Sequence, residues 1–346
     1  MKIMKSSILV MLILSISLCG FGKEQFTRDY NKTFDVNKTS KFKIENKFGN
    51  IEIENPSEAK IIIQVVVAVH AGNQEKANKL LDKIHIKLSK SDNVVYAITN
   101  LDGDDFKDLQ IDYFIKMPAY IASSIANKFG SVIIAELTAK SDITVEYGNL
   151  IAKKLMFDEI EPAGKVVLKY SDLSKISECN WLNILAKYSN VEVGRATGLI
   201  LDTKYSNMET DEANTIISNS KYDNYEMGSL ANMVLVCKHA NFEIGNITQK
   251  LDVEIGYGKF TLGNVVEGFE QIKIDSKYTD VDINIEENAS YKITALVDYG
   301  DIDLPDGPNV KLVRDGTSVS VKGYVGASGQ DSEVYVKSKY GRIDLD

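Results

Sequence analysis

The sequence predicts a predominantly all-β protein, a single-chain β-solenoid of stacked coils with a small α/β capping segment at the N-terminus. Three observations lead to this fold class. The letters Lys-Tyr-small-Asn recur at a spacing of 17 in "AKYSNVEV", "TKYSNMET" and "SKYDNYEM". An aromatic residue recurs along most of the chain, and the side-chain phase changes immediately after each copy.

The aromatic repeat extends over most of the chain. From Phe129 to Tyr299 the successive copies are separated in sequence number by 18, 23, 18, 17, 17, 17, 18, 21 and 21. A period near 20 over many copies is typical of stacked repeats, which bury a continuous core only together. The repeat positions are Phe48, Phe129, Tyr147, Tyr170, Tyr188, Tyr205, Tyr222, His239, Tyr257, Tyr278, Tyr299 and Tyr340.

The phase change predicts a corner in each coil. Apolar residues lie four positions before the aromatic, then three and five positions after it. A flat strand with that pattern would turn one apolar set to water, so the chain must bend. Gly-Asn, Ser-Asn or Gly-Asp follows the aromatic, and these residue types accept the positive φ of a corner. We therefore expect coils stacked roughly 4.8 Å apart, an inward or corner column of aromatic rings, and an amide ladder of Asn190, Asn207, Asn224 and Asn241.

The rest of the chain divides around this repeat. We expect a signal peptide at 1–22, first strands and an α/β cap at 23–122, and the solenoid at 123–346. In the cap, "KIIIQVVVAVHAG" and "LQIDYFIKMP" predict strands, Asn73 is suited to cap a helix from Gln74 to about Lys83, and 89–93 suits a hairpin turn. Residues 308–336 predict hairpin-like strands, and we expect the final strand to leave an edge open to a partner.

Composition bounds the location and the partners. The 346 residues are 44% hydrophobic and 26% charged, with a net charge of −9 that disfavours a nucleic-acid partner. Lys2 and Lys5 precede an apolar stretch at 8–18, which predicts export with cleavage after Gly22. Cys19 offers the alternative of a lipoprotein, although Leu18 stands where a small residue is usual. No transmembrane segment is expected in the mature chain, and the two remaining cysteines, Cys179 and Cys237, are expected to be free and buried.

The motifs together resemble a known group. "KFKIENKFGNIEIEN", then "IDYFIKMPAY" leading to "NKFGSVIIAEL", then the tandem "KYSN" and "DYGDID" coils are similar to the exported β-solenoid proteins of Bacteroidetes called putative adhesins, a head-GIN-like group with a domain of unknown function. The similarity extends over nearly all of the mature chain. It implies a non-enzymatic envelope protein and supplies no catalytic or cofactor-binding residues.

Two charged columns are the candidate binding residues. Each row offers a functional interpretation, a polyanion on the lysines or divalent cations on the glutamates, and an alternative in which it only keeps the solenoid soluble. We expect no catalytic, cofactor or metal site. The candidate rows are Lys169, Lys187, Lys204, Lys221 and Lys238, and Glu192, Glu209, Glu226 and Glu243.

Other potential sites are weaker. The acidic "LDGDDFKD" lacks the ligand spacing of an EF-hand. His70 and His85 are expected to be structural, and His239 to stack in place of a tyrosine. Trp181 is expected to be packed, with a surface sugar platform as the alternative. No nucleophile elbow, phosphate-binding loop or dinucleotide motif is present in the sequence.

Three functions remain for this architecture. The first is an adhesin or interaction scaffold of the cell envelope, in the periplasm or at the cell surface, with a glycan or protein partner. The second is a periplasmic accessory of an envelope-sensing pathway. The third is a polysaccharide-active β-helix enzyme, which the short turns disfavour because they leave no walls for a cleft.

Overall fold

The computed structural model describes residues 24–103, 106, 108–157, 164–305 and 309–346. The predicted signal peptide, with Cys19, lies outside these residues, as do Asp104 and Asp105 of the acidic segment. Within the described residues the chain forms 24 strands and one helix. All the strands belong to one continuous hydrogen-bonded sheet, which is the predicted all-β solenoid.

The N-terminal region contains the helix and the first seven strands. Asn73 caps α1, since its side chain accepts a hydrogen bond from the backbone N–H of Lys76, as the sequence predicts. The elements are β1 (Glu24–Asp35), β2 (Lys41–Lys47), β3 (Ile51–Glu54), β4 (Lys60–Ala71), α1 (Gln74–Leu81), β5 (Ile84–Ser91), β6 (Val94–Leu101) and β7 (Leu109–Lys116).

The central region is the regular solenoid. Its strands lengthen along the chain: β13 to β16 each run continuously from one aromatic corner to the next, and β17 and β18 continue through the corners at Tyr257 and Tyr278. They are β8 (Ala122–Lys128), β9 (Val132–Leu137), β10 (Ser141–Glu146), β11 (Leu150–Leu155), β12 (Gly164–Lys169), β13 (Ser174–Lys187), β14 (Asn190–Lys204), β15 (Asn207–Lys221), β16 (Asn224–Lys238), β17 (Asn241–Val265) and β18 (Gln271–Ile285).

The C-terminal region contains six shorter strands. Two of them form the hairpin that the loss of the motif predicts. The strands are β19 (Tyr291–Asp298), β20 (Asp301–Asp303), β21 (Val310–Asp315), β22 (Ser318–Val325), β23 (Glu333–Lys339) and β24 (Arg342–Leu345).

Neighbouring coils stack in parallel and in register, and we call each coil a rung. Asn190 lies opposite Asn207, which lies opposite Asn224, which lies opposite Asn241. Each residue of this run therefore stacks on its own counterpart in the next copy of the repeat. This register explains the repeated letters, because a side chain that fits one rung fits the next.

The corner of each rung lies at the aromatic residue itself. All twelve aromatic repeat residues have positive φ, between 52° and 64°. The prediction of a positive φ at the following Gly, Ser or Asn is wrong, since Gly49, Gly130 and Gly148 are not in that region. The left-handed conformation costs a bulky residue roughly 1–2 kcal/mol. Offset stacking of two rings contributes about 0.5–1.5 kcal/mol beyond burial, so contact between rungs offsets much of the strain.

The residue after the aromatic points into the core at this corner. It is small because the next rung is close: a Cβ on Gly130 would lie 1.9 Å from the carbonyl oxygen of Gly49. Where serine occupies the position, its hydroxyl links rungs, since Ser189 Oγ accepts from the N–H of Ser171 at 3.2 Å. The corner therefore separates an outward aromatic from an inward small residue.

The core is a continuous column of aliphatic side chains inside the rungs. The aliphatic residues four positions before the aromatic are at most 2% exposed; they include Ile44, Ile125, Ile143, Val166, Ile184, Leu201, Leu235, Val253, Ile274 and Val336. At about 1.5–3 kcal/mol for each buried side chain, these contacts are the main favourable contribution to the fold.

One polar cluster interrupts this core. Asp223 is 2% exposed and accepts hydrogen bonds from Thr203 Oγ1 at 2.8 Å, Ser220 Oγ at 2.7 Å and the Ser206 N–H at 2.7 Å. The hydroxyl of Tyr225 hydrogen-bonds to Thr203 and Ser218. Because its lone pairs are satisfied, the buried carboxylate joins two neighbouring rungs rather than leaving an unpaired charge.

Each end of the solenoid holds a rung that is inserted between two others. At the N-terminus β2 lies between β6 and β8, and β3 lies between β7 and β9. The cap beyond it is antiparallel, with β4 between β1 and β7. The first rung in sequence is therefore enclosed by strands that come later in the sequence.

The C-terminal end corrects two predictions. The rung of Tyr340 lies between those of Tyr278 and Tyr299, because β23 pairs with both β18 and β19, and β24 with both β18 and β20. Rungs thus do not stack in chain order here. The last strand is also not an open edge; that position belongs to β21, which pairs only with β22 among the described strands.

Three smaller predictions, on the cysteines, Trp181 and the β5–β6 turn, are confirmed. Cys179 and Cys237 are free and buried, and burial raises the pKa of each thiol to about 12. Trp181 is packed over Gly198, whose Cβ would meet the indole at 2.4 Å. The β5–β6 turn at Asp92 and Asn93 uses positive φ at both residues. No helix among the described residues is long and apolar enough to cross a membrane.

Candidate functional site

The aromatic residues form one uninterrupted stack along the corner, which we call the aromatic ladder. Adjacent ring centroids are 4.7–5.2 Å apart and adjacent ring planes differ by 1–21°. His239 stacks between Tyr222 and Tyr257, as predicted. In spatial order the rings are Phe48, Phe129, Tyr147, Tyr170, Tyr188, Tyr205, Tyr222, His239, Tyr257, Tyr278, Tyr340 and Tyr299.

The ladder lies on the outside of the molecule. Its tyrosine rings remain 38–56% exposed even though each touches its neighbours. None of the ladder hydroxyls hydrogen-bonds to another side chain in the described part of the chain. The inward alternative of the prediction is therefore wrong, and the corner alternative is confirmed.

A row of lysines runs beside the ladder, one position before each aromatic. The five predicted lysines lie directly opposite one another on successive rungs. The column continues in both directions, interrupted by Glu146 and Gly256 and ended by Asp298. The complete lysine row is Lys47, Lys128, Lys169, Lys187, Lys204, Lys221, Lys238, Lys277 and Lys339.

The sequence prediction missed four members of this row. Lys47, Lys128, Lys277 and Lys339 follow the same rule of preceding a ladder aromatic. They lie outside the most regular run of the repeat, at irregular sequence spacings. The signal was present in the sequence.

The ammonium groups lie close to the rings. Lys128 Nζ is 5.1 Å from the centroid of Phe129, Lys204 Nζ is 5.0 Å from that of Tyr205, and Lys221 Nζ is 5.4 Å from that of Tyr222. A cation at this distance from an aromatic ring is attracted by the electron-rich face. The ladder therefore helps to hold a column of like charges that would otherwise repel.

The opposite side of the ladder is neutral and then acidic. The predicted amide ladder is present: Asn207 Nδ2 donates to Asn190 Oδ1 at 2.8 Å, and Asn224 and Asn241 continue the chain at 3.0 Å. Two positions further on, the four predicted glutamates lie opposite one another, and we call them the glutamate row. Glu192 pairs with Lys175 at 2.6 Å.

An open groove of about 800 Å³ follows this neutral-to-acidic side. Its walls are the amide ladder, the glutamate row and the strand segments between them at Met208, Tyr225 and Phe242, whose side chains are buried. Glu209, Glu226 and Glu243 occupy equivalent, exposed positions. An acid–base pair needs two carboxyl groups in different environments, which this uniform column does not provide.

The remaining ionisable groups do not assemble into a site. Among the described residues, no three His, Cys, Asp or Glu side chains are arranged to hold a metal ion. His85 Nε2 is 2.9 Å from Asp102 Oδ2, and His70 Nδ1 is 3.4 Å from the carbonyl oxygen of Asp108. The two histidines thus have different partners.

Comparison with known proteins gives structural neighbours alone. No family model and no curated protein matches the chain. A putative adhesin from Parabacteroides distasonis is 13% identical, with a TM-score of 0.39, covering 74% of this chain and 97% of its own. A putative adhesin from Parabacteroides merdae is 12% identical, with a TM-score of 0.38, covering 92% and 96%.

A third neighbour is a putative adhesin from Bacteroides fragilis, 15% identical with a TM-score of 0.31, covering 94% of this chain and 98% of its own. The solved structures similar to this chain therefore include proteins of the Bacteroidetes group that its motifs resemble. The architecture of this chain is established by its own strand pairing.

Proposed function

We propose that the protein is an exported, non-enzymatic scaffold of the cell envelope, adhesin-like in use, that binds an extended partner along one corner. The observation that carries this proposal is the aromatic ladder of twelve rungs with its adjoining lysine row, which occupies nine of them. A surface that repeats the same chemistry at every rung suits a partner that also repeats.

The form of the surface supports a binding role. A single exposed aromatic needs no explanation, but a contiguous exposed stripe of aromatic rings is typical of an interaction site. The lysine row adds a charge that the protein does not need for solubility, because its net charge of −9 already keeps copies apart. The partner is therefore expected to meet both the rings and the ammonium groups.

Two measurements test the proposal. Intact cells that produce the protein are treated with protease and probed with an antibody to the mature chain, with lysed cells as the control. The purified mature chain is then screened against immobilised extended polymers: acidic and neutral polysaccharides and fibrous proteins. We expect digestion in intact cells and binding to at least one polymer.

The opposite results separate the alternatives. Protection in intact cells, with digestion after lysis, would refute surface adhesion and favour the periplasmic accessory. Failure to bind any extended polymer would refute the scaffold itself.

A further inference from the structure

The lysine row is a strip of positive charge on an acidic protein. The chain has a net charge of −9, yet nine of the twelve rungs place a lysine in this one column. The rings beside it are 4.7–5.2 Å apart, so the positive charges repeat at about the same interval. On the far side of the ladder the glutamate row repeats a negative charge in four rungs.

The middle of the row is not neutralised by the protein. Lys169 donates to Glu146 at 2.6 Å, whereas Lys187, Lys204, Lys221 and Lys238 form no ion pair with any residue that the structure describes. Adjacent like charges repel. An anionic group placed between two ammonium groups would remove that repulsion as well as pair with both.

The rings restrict how a ligand can approach. Each interior ring is covered on both faces by its neighbours, with planes as close to parallel as 1°. A nucleobase or a sugar therefore cannot stack on a ring face in the interior of the ladder, which is how single-stranded nucleic acids bind aromatic platforms. What remains accessible is a line of ring edges and tyrosine hydroxyls next to a line of ammonium groups.

We propose that this corner binds a linear acidic polysaccharide in an extended conformation, with one carboxylate per sugar unit. The proposal rests on the scaffold function above and names its partner. Successive carboxylates lie between the ammonium groups of successive rungs, and the sugar hydroxyls exchange hydrogen bonds with the tyrosine hydroxyls. The glutamate row repels the polymer from the far side of the ladder, so the chain runs along the lysine side.

Binding of polygalacturonate to the full mature protein, measured by biolayer interferometry at several NaCl concentrations, is the test. We expect binding that weakens steeply with salt and that grows with oligomer length up to about the five consecutive rungs from Lys169 to Lys238, which Glu146 and Gly256 bound on either side. Fully methyl-esterified polygalacturonate, which keeps the backbone but not the charge, should bind at least tenfold more weakly. Hyaluronan, with a carboxylate on every second sugar, should also bind more weakly than polygalacturonate at equal charge.

The decisive variant replaces Lys187, Lys204, Lys221 and Lys238 with Gln. It should bind polygalacturonate at least tenfold more weakly and with a flatter salt dependence. The matched control makes the same charge change on the cap and its adjoining loop, at exposed lysines that form no ion pair within the described part of the chain: Lys38, Lys76, Lys83 and Lys87 to Gln. Circular dichroism of both variants establishes that the fold is retained.

Several results would overturn the inference. Equal losses in the two variants would show binding by net charge alone, and tighter binding of single-stranded DNA or of anionic vesicles would assign the corner to another class of partner. If polygalacturonate does not bind but another extended polymer does, this inference fails while the scaffold function stands. If no polymer binds, both fail.

Discussion

The two ends of the solenoid differ in how much of the terminal structure is buried. At the N-terminal end β4 pairs with β1 and contacts α1. Five side chains of β4 are at most 2% exposed: Ile61, Ile63, Val65, Val67 and Val69. At the C-terminal end the outermost strand, β21, is exposed along nearly its whole length. Both ends therefore leave an outermost strand that pairs on one side only among the described strands, β1 with β4 and β21 with β22. Phe26, Tyr30 and Phe34 of β1 pack against the core, whereas only Val310 of β21 does so.

The guarding residues at the C-terminal end are charged. Lys311 and Arg314 flank Leu312 and Val313 on β21, and Arg314 pairs with Asp301 at 2.9 Å. Lysine and arginine on an edge strand discourage pairing with another chain. Packing of aromatic side chains therefore anchors the outermost strand at one end of this molecule, and charge protects the outermost strand at the other.

The largest expected effect comes from removing the inserted rung, residues 332–346. Val334, Val336, Ile343 and Leu345 are at most 1% exposed, and each buried side chain contributes about 1.5–3 kcal/mol. The deletion also leaves β18 and β19 without the strand that joins them. We expect the rungs from β18 onward to become protease-sensitive while the N-terminal cap stays protected, as read by limited proteolysis and mass spectrometry.

A specific rearrangement would contradict that expectation. The chain rises one rung from Lys250 to Gln271, whereas an equal length of chain from Gln271 to Lys292 spans two rungs. Once the inserted rung is absent, the connection is long enough for β19 to stack directly on β18. Near-normal protection of residues 291–303 in the shortened chain would show that this happens.

A pair of matched substitutions sharpens the contrast between the ends. Ile63→Ala removes a fully buried side chain from the N-terminal cap and should lower the free energy of unfolding by about 2–5 kcal/mol. Leu312→Ala removes a side chain that is 40% exposed on β21 and should change it by no more than about 0.5 kcal/mol. Urea unfolding followed by circular dichroism measures both, and similar values for the two would mean that β21 is covered in solution.

The smallest expected effect concerns an ion pair near the N-terminal end. Glu146 accepts a hydrogen bond from Lys169 and lies 3.7 Å from Lys128, and the bond from Lys169 is the main reason that its pKa is lowered. A lowered carboxyl pKa contributes stability above the unfolded pKa, and this stability is lost as the pH falls through the folded pKa. Glu146→Gln should therefore cost about 0.2–1 kcal/mol at pH 7 and nothing in strong acid, as measured by urea unfolding at the two pH values.

The control for this prediction lies at the other end. Asp301 also has a lowered pKa, chiefly because of its hydrogen bond from Arg314, but both side chains of this pair are more than half exposed. Asp301→Asn should produce a smaller change at pH 7 than Glu146→Gln. A larger change would assign the C-terminal charges a part in stability as well as in protecting the edge.

Local pattern predicted most of this fold. The strands, the helix cap at Asn73, the amide ladder and the corner were all predictable, because each follows from residues close in sequence. The sequence predicts the positive φ at the residue after the aromatic, since Gly often stands at that position. Only contacts between rungs explain why the aromatic residue itself adopts a positive φ.

The inserted rung and the extent of the candidate site were less predictable. Tyr299 and Tyr340 carry the same motif, so nothing local shows that the later copy lies beneath the earlier one. Long-range pairing of β23 decides this order. The sequence prediction included five of the nine members of the lysine row. The other four lie outside the regular run, at irregular sequence spacings, although all nine form a straight column in space.

Because the central coils keep a constant register, the length of the solenoid can change in steps of one whole coil. Between Asn190 and Lys238 three successive coils keep the same register. A duplication of one whole coil in this stretch would add one ring, one lysine and one glutamate without disturbing either end. A duplication of any other length would displace every column after it. The reach of the binding corner is thus adjustable in discrete steps, by gain or loss of whole coils, without any redesign of its chemistry.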